Sequence, residues 1–268
     1  MAYPDIRLIA LDLDGTLLDE AQEIPIQTVE TIQEVKQRGV IVTLASARPL
    51  CSVLPYADRL GITAPLITNG GAYLVDRDQA KVLLSKPLDL GTFREMARFF
   101  EERDYYIKAY SNERLFVQEA TRETIEYSSR FGVPYTEVGK KKLSALEEPP
   151  LRVFVWDDPL AGNDALELMQ QWSASFAFAR ETGCGLEVVD RTVSKGAALK
   201  AICREFGVPL SHVMAIGNEG HDIAMVQAAG LGIAMGNACE ELKRCANEVT
   251  KSNSECGVEH AIRKYVLK

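Results

Sequence analysis

The chain is short of nearly everything that would place it in a membrane, on nucleic acid or outside the cell. None of the apolar stretches in its 268 residues approaches the ~20 needed to span a bilayer. The opening MAYPDIRLIALD lacks the basic-then-apolar order of a secretory leader and meets Asp12 after a very short apolar run. Positive charge is in deficit: 30 Lys and Arg stand against 38 Asp and Glu, a formal net charge of −8. A general binder of nucleic acid or of a membrane surface needs a basic face, so neither partner is expected, and any phosphate site must be locally basic. The six cysteines (Cys51, Cys184, Cys203, Cys239, Cys245, Cys256) form no CxxC pair and are scattered. That usage argues against a zinc site or disulfide framework and for reduced thiols in a cytoplasmic protein. Internal repeats and low-complexity tracts are also missing. What remains is 47% hydrophobic and 25% charged, enough for one large or two modest domains with a substantial core.

The stretch LIALDLDGTLLD, residues 8 to 19, runs four apolar residues straight into Asp12, Asp14 and Asp19. On an extended strand Asp12 and Asp14 point the same way. They would repel, and one would protonate, unless a cation or a paired donor sits between them. Beyond them Ile26, Val29, Ile32 and Val35 recur at helical spacing up to Gly39, and VIVTLA (40–45) reads as a strand covered on both faces. It ends at Ser46-Ala47-Arg48. A short helix through Leu60 and the strand PLIT (65–68) lead to Asn69-Gly70-Gly71. Alternation with short connections predicts parallel strands in right-handed crossovers, so these strand ends share the sheet edge where open α/β folds bind ligands.

From residue 86 to 188 the texture changes. Helical segments near 89–103, 121–131 and 160–172 alternate with YYIKAY, RLFVQ, LRVFVW and SFAFAR, and KKKLSALEEPP reads as a linker. The doubly wound pattern then resumes with Ser194-Lys195-Gly196, HVMAI (212–216), the loop GNEGHD and LGIAM (231–235). The expected fold is therefore α/β, a doubly wound, Rossmann-like parallel-sheet core (1–85 and 189–268) interrupted by an α/β domain (86–188).

DLDGTLL at 12–18, the strand ending in Ser46 with Arg48 two on, the lone Lys195 and GNEGHDIAM at 217–225 resemble the four motifs of the haloacid dehalogenase superfamily. The insert resembles the large α/β cap of its Cof-type phosphatases. The resemblance implies a phosphomonoester hydrolase acting on a small phosphorylated metabolite, such as a sugar phosphate, through an aspartyl-phosphate. Asp12 would be the nucleophile and Asp14 first acid, then base. Ser46 would bond a phosphate oxygen, and Lys195 would neutralise phosphate charge and keep Asp12 ionised. Thr16, Ala47, Arg48, Asn69 and Gly70 would line the substrate, beneath a mobile cap closing over the crevice.

Magnesium is the implied cofactor, held by Asp12, Asp14 through its backbone carbonyl, Asn218 and Asp222. Here the chain departs from its relatives, which commonly read G-D-x-x-N-D. It has Asn218 and His221 instead and keeps only Asp222. Asn218 still offers an oxygen but loses a negative charge. A phosphoryl mutase using the same motifs, or a degenerate binding protein that holds a phosphate ligand without turnover, stays open beside hydrolysis.

Overall fold

A computed structural model describes residues 5–77, 80–111, 114–156, 169–181 and 185–267, which form two compact units. One comprises 1–48, 53–84 and 194–268; the other comprises 49–52 and 85–193.

The first unit is built on a five-stranded, wholly parallel sheet. Its members are β1 (Leu8–Leu11), β2 (Ile41–Leu44), β12 (Val213–Gly217), β13 (Leu231–Ala234) and β14 (Glu248–Val249), in the order β14-β13-β12-β1-β2. β1 lies inside the sheet, with Leu8 opposite Val213 on one side and Ile41 on the other. All four of its side chains are fully buried, as an uninterrupted apolar run in a two-sided parallel sheet requires. The helix Ile26–Gln37 buries Thr28, Thr31, Ile32 and Val35, one face at three- and four-residue spacing.

β3 (Leu66–Thr68) joins β2 through a parallel bridge between Ala45 and Ile67. The strict alternation expected of the sequence then breaks. Asn69–Gly71 turns the chain back into the antiparallel β4 (Tyr73–Val75), and β5 (Val82–Ser85) adds a third strand to this small sheet. Gly70 and Gly71 make the turn at φ 67° and 101°, which other residues rarely adopt.

The second unit holds β6 (Ile107–Tyr110), β7 (Leu115–Val117), β8 (Tyr135–Glu137), β9 (Arg152–Trp156), β10 (Phe176–Glu181) and β11 (Gly185–Asp190). They form one sheet in the order β10-β11-β9-β6-β7-β8, antiparallel except for the β7–β8 pair. Residue 188 falls inside β11, which continues to Asp190 because each residue through Asp190 keeps a partner on β10. One face of this sheet packs Ile107, Ala109, Val153, Val155, Leu186 and Val188 with Phe93, Met96 and Phe100 of the helix Leu90–Glu101. That helix begins where Asp89 accepts a hydrogen bond from the Thr92 amide at 2.9 Å. The helix Arg122–Phe131 is capped by Thr121 and stopped by Gly132 in the left-handed region. Most of the helix expected over 160–172 lies outside the described residues, as does Cys184; its described end, Gln170–Trp172, is a single 3-10 turn.

Candidate active site

Asp12 is the first residue past β1, and its amide donates to the Ile216 carbonyl at 3.1 Å. The strand then stops. Leu13–Leu17 form one wide helical turn closed by the Leu18 amide on the Leu13 carbonyl at 3.0 Å, with Gly15 at φ 71°. This corrects the expectation that Asp12 and Asp14 lie on one strand face and need a common partner. Asp12 turns inward with its side chain 3% exposed, whereas that of Asp14 is 48% exposed, and each finds its own cation.

For Asp12 that cation is Lys195. It opens the helix Lys195–Phe206, whose N-cap Ser194 accepts from the Ala197 amide at 3.0 Å. The Lys195 ammonium is wholly buried and donates at 2.6 Å both to Asp12 Oδ1 and to Asp222 Oδ1. Gly71 makes the seat for this helix start, since a Cβ there would overlap the Ser194 carbonyl and the Lys195 amide. The other oxygen of Asp222 accepts from the amides of Asn218 at 2.9 Å and Glu219 at 3.0 Å. Asp222 thus reaches the site through Lys195, with both oxygens committed.

One ammonium shared by two buried carboxylates leaves one net negative charge. Burial, then the charge of Asp222, pushes Asp12 up to about 6 against the pull of Lys195. Burial also works against ionised Asp222, but Lys195, His221 and the hydrogen bonds outweigh it and hold that carboxyl below its ordinary range. The two carboxylates similarly outweigh burial at Lys195 and raise it. Asp12 therefore carries the uncompensated charge.

Asn218 follows β12 with its side chain against this charge. One end of its amide lies 3.1 Å from Asp12 Oδ2, 3.0 Å from the Asp14 carbonyl and 3.1 Å from Thr16 Oγ1, and with the NH2 group at that end its two N–H bonds can donate to Asp12 and to the Asp14 carbonyl. It packs so closely on the loop that a Cβ at Gly15 would overlap it. His221 is 41% exposed, with Nε2 4.0 Å from Asp12 Oδ1 and 3.7 Å from Asp222 Oδ1.

Arg48, expected on the substrate, meets Asp14. Its Nε donates to Asp14 Oδ2 at 2.7 Å and its Nη2 to Asp14 Oδ1, a two-point grip. Nη2 also reaches Gln22 Oε1, Nη1 the Tyr56 hydroxyl at 3.4 Å, and the guanidinium lies 5.4 Å from the Tyr56 ring centre. Burial opposes its charge, but the Asp14 contacts outweigh it and raise Arg48 above its usual value. Ser46 is buried and its Oγ accepts from the Arg48 amide at 3.1 Å, which leaves its proton free to be given elsewhere. Ala47 and Gly70 are half-buried on the same edge. Asn69 is fully buried, its backbone tied to the Arg48 carbonyl at 2.9 Å, and neither polar atom of its side chain meets a partner among the described residues.

Two further side chains brace the loop. Asn237 Nδ2 donates to the Gly15 carbonyl at 2.8 Å, and Asn253 Nδ2 to that of Leu18 at 2.8 Å. Asn237, like Gln22 and Tyr56, escapes a reading from motifs. Its one legible signal is its place just past β13, at the same edge as the other strand ends.

Two groupings here could take a metal. Asp12, His221 and Asp222 each offer a ligand atom within 4.8 Å of the others, but Lys195 already holds Oδ1 of both carboxylates. The second is Asp12 Oδ2, the Asp14 carbonyl, Thr16 Oγ1 and the Asn218 amide, whose oxygens suit a hard divalent cation.

Residues 9–262 match the haloacid dehalogenase-like hydrolases, and the chain belongs to that family, in its Cof-type branch. It is a phosphatase of the phosphoric monoester hydrolase class. A relative from Bacillus subtilis, the 5-amino-6-(5-phospho-D-ribitylamino)uracil phosphatase YitU, is 28% identical over 278 residues and covers 96% of this chain and 97% of its own. A haloacid dehalogenase-like hydrolase of Bacteroides thetaiotaomicron superposes with a TM-score of 0.87 at 24% identity, covering 97% of this chain and 99% of its own. The sugar phosphatase BT4131 gives 0.83 at 22%, covering 97% and 98%. At these identities the solved structures speak for the fold, a core with a cap domain. Among the described residues no helix is long and apolar enough to cross a membrane, and Cys203, Cys239, Cys245 and Cys256 are free thiols.

Proposed function

We propose that the chain hydrolyses a small soluble phosphate monoester, such as a sugar phosphate, in the cytoplasm, through an aspartyl-phosphate on Asp12 and with magnesium as cofactor. The observation that carries this reading is the contrast between two carboxylates only two residues apart. Asp12 is buried, tied to Lys195 and turned toward a cluster of oxygens; Asp14 is half-exposed and oriented by Arg48.

In the first step an Asp12 oxygen forms a bond to phosphorus as the ester P–O bond breaks, and the departing oxygen takes its proton from Asp14. In the second, water attacks phosphorus as Asp14 takes back a proton, and the bond from Asp12 to phosphorus breaks to release phosphate. Lys195 keeps Asp12 anionic and offsets phosphoryl charge, while the Ser46 hydroxyl and the amides of the Asp12–Thr16 turn bind phosphoryl oxygens. Asp12, the Asp14 carbonyl and Asn218 would hold the magnesium, with Asp222 acting through Lys195. When bound, the ion supplies charge stabilisation for the transferring group. Choice among substrate alcohols is assigned to the inserted domain, 86–188.

Asp12→Asn tests the mechanism. It removes the nucleophile's charge with almost no change of volume, so phosphate release should fall at least ~10³-fold while the unfolding transition is retained. Release near the wild-type rate would exclude the aspartyl-phosphate route.

A further inference from the structure

Asn218 is the neutral member of the oxygen cluster, and its hydrogen bonds show what a neutral amide does there. Three oxygens, Asp12 Oδ2, the Asp14 carbonyl and Thr16 Oγ1, converge at 3.0 to 3.1 Å on one end of its amide, and without a cation between them the NH2 end suits that place better than the oxygen. We infer that the Asn218 amide is a built-in surrogate for the divalent cation. Its NH2 group holds the Asp12 and Asp14 oxygens together in the cation-free protein, and a half-turn of the amide presents its carbonyl oxygen when the cation enters. The inference rests on the metal-dependent reading of this site.

An amide carries two donors at one end and an acceptor at the other, with nearly the same shape either way round. Rotation about Cβ–Cγ therefore converts a donor to anionic oxygens into a cation ligand at almost constant volume. Constant volume matters because Asn218 is 6% exposed and packs against Gly15 too closely to admit even a Cβ there. A carboxylate has no donor end. In its place it would add a charged acceptor to acceptors already beside one uncompensated buried charge, and it would be tolerated only with a cation between them.

Two consequences follow. Without a cation the site should stay assembled, because the Asn218 NH2 can join the residue after β1 and the turn following it to the end of β12. Cation binding must also displace hydrogen bonds that a carboxylate would never have made, so affinity is lower than an acidic residue would give.

Thermal unfolding of the full chain and of Asn218→Asp, each in EDTA and across a MgCl2 titration at constant ionic strength, tests this without turnover. The variant should melt roughly 5 °C or more below the wild type in EDTA. Mg2+ should then raise its melting temperature by more than it raises that of the wild type, with a midpoint at ~10–100-fold lower concentration. Equal melting in EDTA with equal Mg2+ shifts overturns the inference.

If Asn218→Asp does not fold, the wild type decides. The Asn218 side-chain NH2, identified in nitrogen-15 spectra by its loss in Asn218→Ser, should shift as Mg2+ saturates the protein while that of Asn253 stays in place. An Asn218 NH2 that does not move at saturation also overturns the inference. Neither readout depends on Asp12→Asn, so failure of the surrogate and failure of the aspartyl-phosphate reading are told apart.

Discussion

Lys195→Met removes the one ammonium that two buried carboxylates share and leaves a side chain of similar length. Because the lysine is fully buried and lies 2.6 Å from both Asp12 and Asp222, nothing from solvent replaces it without opening the core. Breaking a buried pair by deleting one partner costs ~3–5 kcal/mol. For a protein of this size that is a fall of ~6–20 °C in melting temperature. The loss should depend on pH in a definite direction. Asp12, already at about 6, rises further once its cation is gone and Asp222 remains beside it. A carboxyl whose folded pKa lies above its unfolded value loses stability as pH climbs through that interval, so the deficit should be largest near pH 8 and shrink as pH falls toward 5. Chemical denaturation of wild type and Lys195→Met at both pH values measures it. Adding Asp222→Asn to Lys195→Met should restore much of the stability and none of the turnover, since the like-charge pair is relieved but Asp12 still lacks its cation. A variant as stable as wild type at pH 8, or a deficit independent of pH, would refute this account of the buried charge.

Two more outcomes test other parts of the site. Arg48→Lys loses the two-point grip on Asp14 but keeps a positive charge. If Arg48 positions the acid, hydrolysis of an alkyl phosphate, whose leaving group needs a proton, should drop ~10–100-fold more than that of p-nitrophenyl phosphate, which needs none; equal losses would make the grip merely structural. With Asp12 at about 6, roughly half of these carboxyls carry a proton at pH 6, and a cation binding Asp12 must displace it. Titration calorimetry in buffers of different ionisation enthalpy should therefore find Mg2+ uptake releasing up to about half a proton at pH 6 and almost none at pH 8.

The sheet was legible because buried parallel strands write themselves as apolar runs: LIAL and VIVTLA stand next to Asp12 and Ser46, and HVMAI is one glycine short of Asn218. The spacing of Asp12 and Asp14 was legible as a pair but not as a geometry. Period-two reasoning holds only while a strand lasts, and β1 ends at Leu11. Everything that then decides the roles of these residues comes from far along the chain: Arg48 on Asp14, Lys195 and Asn218 on Asp12, Asn237 on Gly15. Arg48 was legible as a cation but not by its partner. A cation at a strand end near a phosphate site suits substrate and carboxylate equally well, and only the turn at Gly15 presents Asp14 to it. Gln22 and Tyr56 offered no pattern, since each matters here through its meeting with the Arg48 guanidinium. The reversal into β4 was hidden by Asn69-Gly70-Gly71, which reads equally well as a loop lining a site.

The bracing of the Asp12–Leu18 loop makes the site a late product of synthesis. Asp12 emerges from the ribosome among the first residues. Yet β1 finds its inner neighbour only at Val213–Gly217, and its loop is fastened at Gly15 and Leu18 by side chains 222 and 235 positions further on. A nascent chain that has already made its inserted domain still lacks Lys195, Asn218 and both asparagine fastenings, so it carries Asp12 without the groups that surround it in the finished site. The same wiring gives proteolysis unusual leverage. A nick that removes the segment from Asn253 onward touches neither Asp12 nor Lys195, yet it releases the Leu18 end of the loop and leaves Asn237 alone to hold Gly15.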